Sequence, residues 1–256
     1  MELQSFYWTG AAIPSADRDV IRQLGDLELP LEQRKAALLR LLGSESVVAR
    51  GLALDFYCLA NASQRHGSQP MIDLAIRRAV REAALRELEA APYERTEPNA
   101  NPRRGANHGS ALAALSHNAD PGDAPLLVRV LRENDDPRVL HEGVGAAEPV
   151  LRGEPAHPEL VEVLAQLASR RDVEPGTRAG AITAIGGAND AAVVPMLIAS
   201  LADPELAVSA AAARVLLERD FERHRPLVAP VAAAWHTGEF PPFDVHEVRR
   251  LLEGDD

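Results

Sequence analysis

A seven-residue pattern recurs through the second half of the chain and limits what it can fold into. Pro125–Leu131 reads PLLVRVL, Pro158–Leu164 reads PELVEVL and Pro195–Leu201 reads PMLIASL; Pro226–Ala232, PLVAPVA, is a degenerate fourth copy. The offsets between copies are 33, 37 and 31 residues. Proline is harmless in the first turn of a helix, where its missing N–H has no partner to lose, and the apolar residues behind it fall at helical spacing. A second series, Asp136-Pro137, Glu174-Pro175, Asp203-Pro204 and Pro241-Pro242, opens another helix after each copy. One helical pair is too small to bury its own apolar face, so such pairs must stack. The pattern predicts an all-α chain, an α-solenoid of antiparallel helix pairs.

The best-formed unit is Thr177–Asp220, 44 residues. It reads as a helix stopped at Gly186-Gly187, then a helix with Val194, Leu197, Ile198 and Leu201 on one face. A turn follows in which Asp203 is expected to cap and Pro204 to open the next helix. That helix turns Val208, Ala212 and Val215 inward, while Ala210, Ala211 and Ala213 let a neighbour approach closely. This stretch resembles a HEAT repeat of the phycobilisome-lyase type, and the resemblance implies a HEAT/armadillo-like superhelix.

Three segments are expected. Residues 1–91 form a cap and helical pairs, 92–107 a loop, and 108–256 the regular repeats, together one continuous solenoid. In the first, Phe6-Tyr7-Trp8 is read as covering the open end of the core. A helix over Leu31–Leu42 carries Leu31, Ala36, Leu38, Leu39 and Leu42 on its apolar face and stops at Gly43. Its partner over Glu45–Asn61 turns Val48, Leu52, Phe56 and Leu59 inward. A long helix over Pro70–Ala90 interleaves Arg77, Arg78, Arg81 and Arg86 with Glu82, Glu87 and Glu89, a self-compensating solvated face. The loop, PYERTEPNANPRRGAN, is too rich in proline, asparagine and glycine for regular structure. At the far end Trp235, Phe240 and Phe243 are expected to cap the core, and Glu253–Asp256 is a solvated acidic tail.

A net charge of −11 argues against a phosphate-binding surface and for a neutral or basic protein partner. Lys35 is the sole lysine among many arginines and alanines, the mark of GC-rich bacterial coding. Cys58 is the sole cysteine, which excludes an internal disulfide and a cysteine metal cluster; it is expected to be a small buried hydrophobe. With no secretory pattern at the N-terminus and no apolar run of membrane-spanning length, a cytoplasmic protein without membrane contact is expected.

No nucleophile elbow, phosphate loop, dinucleotide fingerprint or CxxC is present, and Gly186-Gly187 reads as a helix C-cap. When the second helices are aligned on their prolines, His141-Glu142 and His246-Glu247 fall at one position, with His108-Gly109 a partial match and Ala179 and Val208 in the other copies. LHEGVGAA and NHGSALAAL resemble the His-Glu motifs of deoxyhypusine hydroxylases, which would imply a di-iron site formed by those residues. That family carries four such pairs, whereas this chain has two full pairs and a half. Alkylpurine DNA glycosylases and phycobilin lyase subunits share the repeat type. The first need a cationic groove with aromatic residues, yet no aromatic residue lies between Tyr93 and Phe221. Nothing beyond the repeat points to a bilin. Arg50 and Arg178 match the arginine of the repeat consensus and are expected to be exposed, pairing with carboxylates of the next repeat. The expectation is therefore a non-enzymatic scaffold or adaptor that binds another protein on its concave face, with no catalytic, cofactor or metal residues. Arg50, His108, His141, Glu142, Arg178 and Glu205, near the starts of second helices, are the candidate contacts.

Overall fold

The computed structural model describes residues 7–8, 10–64, 71–94, 105–152, 157–188, 191–236, 238 and 241–254. Among the described residues all regular structure is helical. In chain order the α-helices are α1 Ser15–Gly25, α2 Leu31–Leu42, α3 Val47–Gln64, α4 Leu74–Glu89, α5 Ala106–Leu115, α6 Ala124–Glu133 and α7 Pro137–Leu151. They continue with α8 Pro158–Ser169, α9 Pro175–Gly186, α10 Val194–Ser200, α11 Leu206–Arg219, α12 Phe221–Ala233 and α13 Phe243–Glu253. The all-α expectation holds. No described helix is long and apolar enough to cross a membrane.

The chain divides into two compact units, residues 1–119 with 134–146, and residues 120–133 with 147–256. The expected seam at 92–107 falls within the first unit. There α2 packs on α1, α3 and α4, and α5 packs on both α3 and α4. The core is built from Leu38, Leu41, Leu52, Leu54, Ile76, Val80, Leu112 and Leu115, with Tyr57 fully buried among them. The Tyr57 hydroxyl leaves that core by donating to Asn118 Oδ1 at 2.9 Å. In the second unit α9 and α11 pack face to face, with α8 on one side and α10, α12 and α13 around α11. Ala210–Ala213 are all buried, so α11 offers neighbours a surface with almost no side-chain bulk. A Cβ placed on Gly186 would lie 2.8 Å from Val215 Cγ1, so glycine there sets how closely α9 meets α11.

The four proline-led copies fall on α6, α8, α10 and α12; Pro137 and Pro175 open α7 and α9, whereas Pro204 and Pro242 stand before α11 and α13. The fourth copy departs from the rule. Asp220 caps α12 by accepting from the Arg223 amide at 3.1 Å, so the helix starts early and places Pro226 and Pro230 inside it.

Several expectations need correction. The stripe on α2 is rotated: Ala37, Leu38, Leu41 and Leu42 are buried, whereas Ala36 and Leu39 face solvent. Leu59 on α3 and Ile198 on α10 are also exposed, because the neighbours cover a narrower stripe than periodicity suggests. Glu87 does not share a solvated face with the other charges of α4; it is buried against Arg50. Helix α11 begins at Leu206 with Glu205 as its N-cap, and Asp203 instead accepts the Glu205 amide at 3.0 Å within the turn. Ala106 and Asn107 belong to α5, which Gly105 opens with φ of 77°. Phe243 is 73% exposed and caps nothing. Helix α1 lies outside the helices that the repeat pattern predicts. It buries Val20, Ile21 and Leu24 and packs on α2. Phe6, residues 65–70, 95–104 and 255–256, and Phe240 lie outside the described residues.

Candidate functional site

Four residues on the second helices make one recurring contact. Arg50 Nη1 donates to the Ser44 carbonyl at 2.7 Å and to the Glu45 carbonyl at 2.9 Å. His108 Nε2 lies 3.0 Å from the Ala90 carbonyl. Arg178 Nε donates to the Ala168 carbonyl at 2.9 Å, and Ser209 Oγ to the Leu201 carbonyl at 2.8 Å. Each accepting oxygen sits at or just beyond the C-terminal end of the preceding first helix, where carbonyls lack intrahelical partners. The last turn carries partial negative charge, which suits a guanidinium. A carbonyl only accepts, so the His108 ring is placed with its proton on Nε2.

This contact departs from the proline-based alignment: Arg178 stands one residue before Ala179, and Ser209 one residue after Val208. His108 is equivalent in role to Arg50, Arg178 and Ser209, not to Ala179 and Val208. The arginines also form the ion pairs expected of them, Arg50 with Glu87 and Arg178 with Asp203. Asn107 Nδ2 reaches the other Glu87 oxygen at 3.4 Å. Burial raises the Asp203 pKa, but the Glu205 amide and the Arg178 guanidinium outweigh it and hold the carboxyl below its ordinary range. Arg178, expected on the surface, is 2% exposed. It and His108 are committed inside the chain and have little surface to offer a partner. Arg50 is partly exposed, and His141, Glu142 and Glu205 reach the surface.

The first unit also holds a contact between residues far apart in sequence. Tyr7 and Trp8 lie across the second helices α3, α5 and α7. Trp8 is buried, its Nε1–H donates to Ser110 Oγ at 3.1 Å, and Tyr93 packs on it with ring centroids 5.0 Å apart. Two glycines make room. A Cβ on Gly51 would lie 2.2 Å from the Trp8 ring, and one on Gly109 would lie 2.6 Å from the Tyr7 ring. The Tyr7 hydroxyl donates to Glu142 Oε1 at 2.7 Å, and the Arg138 guanidinium stands 5.8 Å from the centre of the same ring. Burial, reinforced by Glu142 and Asp55, pushes the Tyr7 phenol above its ordinary range, so it stays protonated and keeps donating. Burial, then Asp55 and Glu142, pushes the Cys58 thiol up as well. Cys58 is half-buried, where a fully buried side chain was expected.

The sequence carried one unread signal for this seat. Gly51 and Gly109 stand inside helices, where glycine costs about 1 kcal/mol relative to alanine unless something approaches closely.

His141 is exposed on α7, His246 is exposed on α13 in the second unit, and Glu247 is engaged by Arg250 Nη2 at 3.0 Å. Among the described residues no group of three or more His, Cys, Asp or Glu side chains is placed to hold a metal ion. The second unit has an open cleft of about 580 Å³ between the α10–α11 turn and the end of α12, lined by Leu201, Leu206, Pro230, Val231 and Trp235. Trp235 Nε1–H donates to Ser209 Oγ at 3.2 Å at its edge, so this tryptophan lines a cleft instead of capping the core. No protein-family model and no curated protein matches this chain.

Proposed function

We propose that the chain is a HEAT-like α-solenoid of the bacterial cytoplasm, a non-enzymatic scaffold that binds another protein through the face of its second helices. One observation carries this reading. In the first unit that face already holds a non-helical aromatic segment of the same chain, anchored by an indole, a phenol and a cation over a ring. Buried aromatic anchors with a polar rim are the means by which protein surfaces hold partner segments. The net charge of −11 favours a partner that is neutral or basic. Exposed His141 and Glu205, with Glu142 and Arg50 at the edge of the helices, remain the candidate contacts; His108 and Arg178 support the face from beneath.

Formaldehyde crosslinking in the native cell, followed by purification of the chain, tests the reading. One protein should be enriched over a Glu142→Lys, Glu205→Lys control. Recovery of no specific protein at any salt concentration would count against it.

A further inference from the structure

We infer that the seat under Tyr7 and Trp8 is a docking site for a segment of a partner protein that carries adjacent phenol and indole side chains, and that the chain's own strap holds this site as an internal stand-in. The inference rests on the scaffold reading and gives its partner a chemistry.

The seat is specific in shape and in polarity. Gly51 of α3 and Gly109 of α5 leave the space that the two rings fill, at positions where a Cβ would collide with them. Glycine weakens a helix interior, so these two positions sacrifice helix stability for ring access. Ser110 accepts the indole N–H, Glu142 accepts the phenol O–H, and Arg138 faces the phenol ring. Each requirement is met by side-chain tips, so a segment from another chain with the same two residues satisfies the same groups. The strap itself belongs to no helix. Its described backbone turns on itself, the Ala11 N–H donating to the Trp8 carbonyl at 2.8 Å, before Pro14 leads into α1. It is tethered by a few residues, so it competes with an incoming segment at an effective concentration of millimolar order.

The test uses the full chain with the strap emptied, Tyr7→Ser with Trp8→Ala, which leaves every seat residue in place. Its ligand is the fourteen-residue peptide MELQSFYWTGAAIP, the chain's own residues 1–14. Calorimetric titration should show one-to-one binding to the emptied chain, at least about tenfold tighter than to the unmodified chain, whose strap competes. The same peptide with alanine in place of Tyr7 and Trp8 should not bind. Adding Gly51→Ala to the emptied chain should abolish binding while leaving helix content unchanged, since alanine suits a helix and only the ring is refused. Absence of binding to a folded emptied chain, or equal binding of the alanine peptide, overturns the inference. If the emptied chain does not fold, Trp8→Phe takes its place; it keeps the strap but gives up the Ser110 bond. The peptide should then bind it more tightly than it binds the unmodified chain, and failure to do so overturns the inference equally. The scaffold reading fails separately. A crosslinked partner that the peptide does not displace leaves the scaffold standing and overturns the inference alone, whereas peptide binding with no cellular partner makes the seat an intramolecular contact and overturns both readings.

Discussion

In the first unit Trp8 arrives from outside the helices, is 2% exposed and lies against Gly51 on α3; in the second, Trp235 follows α12 and stays half-buried beside an open cleft. Both indoles donate to a serine of a second helix, Ser110 and Ser209 respectively. Around them the units differ. The first buries a polar set, Glu87, Asn107 and His108, and keeps two helical glycines open for rings. The second packs the alanine face of α11 on α9 and is tied by Arg214, which reaches Asp244 at 2.7 Å and Thr183 at 3.1 Å. The same repeated frame therefore leaves the second-helix surface free to diverge. In one unit that surface accepts an aromatic segment, and in the other it is spent on helix packing.

Deleting each indole is the strongest way to break this contrast. Trp8→Ala should lower stability by about 3–5 kcal/mol, the range for a large core aromatic. Trp235→Ala should cost only about 1 kcal/mol, as at a partly exposed site. Denaturant titration of both variants decides it, and equal losses would remove the distinction.

The buried ion pairs come next. Asp203→Ala leaves the Arg178 guanidinium buried and should cost about 3 kcal/mol. Glu87→Ala should cost less, about 2 kcal/mol, because Arg50 is partly exposed and keeps the Ser44 and Glu45 carbonyls. Thermal unfolding of the pair measures the order, and the reverse order would mean that the first unit depends more on its ion pair.

Glycine replacements should differ in sign. Gly51→Ala should destabilise by about 1–3 kcal/mol, since the Trp8 ring must move. Gly176 on α9 has nothing within 4 Å of its Cβ position, so Gly176→Ala should stabilise by up to about 1 kcal/mol.

The smallest effect is a pH dependence of the second unit. Burial, and after it the neighbouring Arg223, holds the His224 imidazole below its ordinary value of 6.5, against the pull of Asp220. The folded state thus favours the neutral ring. Its contribution is complete above about pH 6.5 and is lost as pH falls, because the unfolded chain takes up the proton first. His224→Leu should flatten the stability profile between pH 7 and 5; an unchanged slope would assign it to other groups.

Much of the frame was legible in sequence. The prolines at the starts of α8 and α9, and the Gly43 stop of α2, act locally, so the pattern alone reveals them. Helix α1 carries Val20, Ile21 and Leu24 at helical spacing, but lies outside the repeat register. The role of His108 is hidden because the prolines do not mark every helix start: Pro204 stands two residues before Leu206, where α11 begins, whereas Arg50, Arg178 and Ser209 each stand three residues after the first residue of their helix. The seat itself joins Tyr7 to Glu142 across 135 positions, and no local pattern encodes such a pairing. What the sequence did hold was a pair of helical glycines without a local reason.

The most direct measurement is a double-mutant cycle between Gly51→Ala and Trp8→Ala, read by denaturant unfolding. With Trp8 present the alanine at 51 should be destabilising; with Trp8 removed the cost should vanish and turn into a gain of up to about 1 kcal/mol, a coupling expected only of residues in contact. The same cost for Gly51→Ala in both backgrounds would contradict the seat.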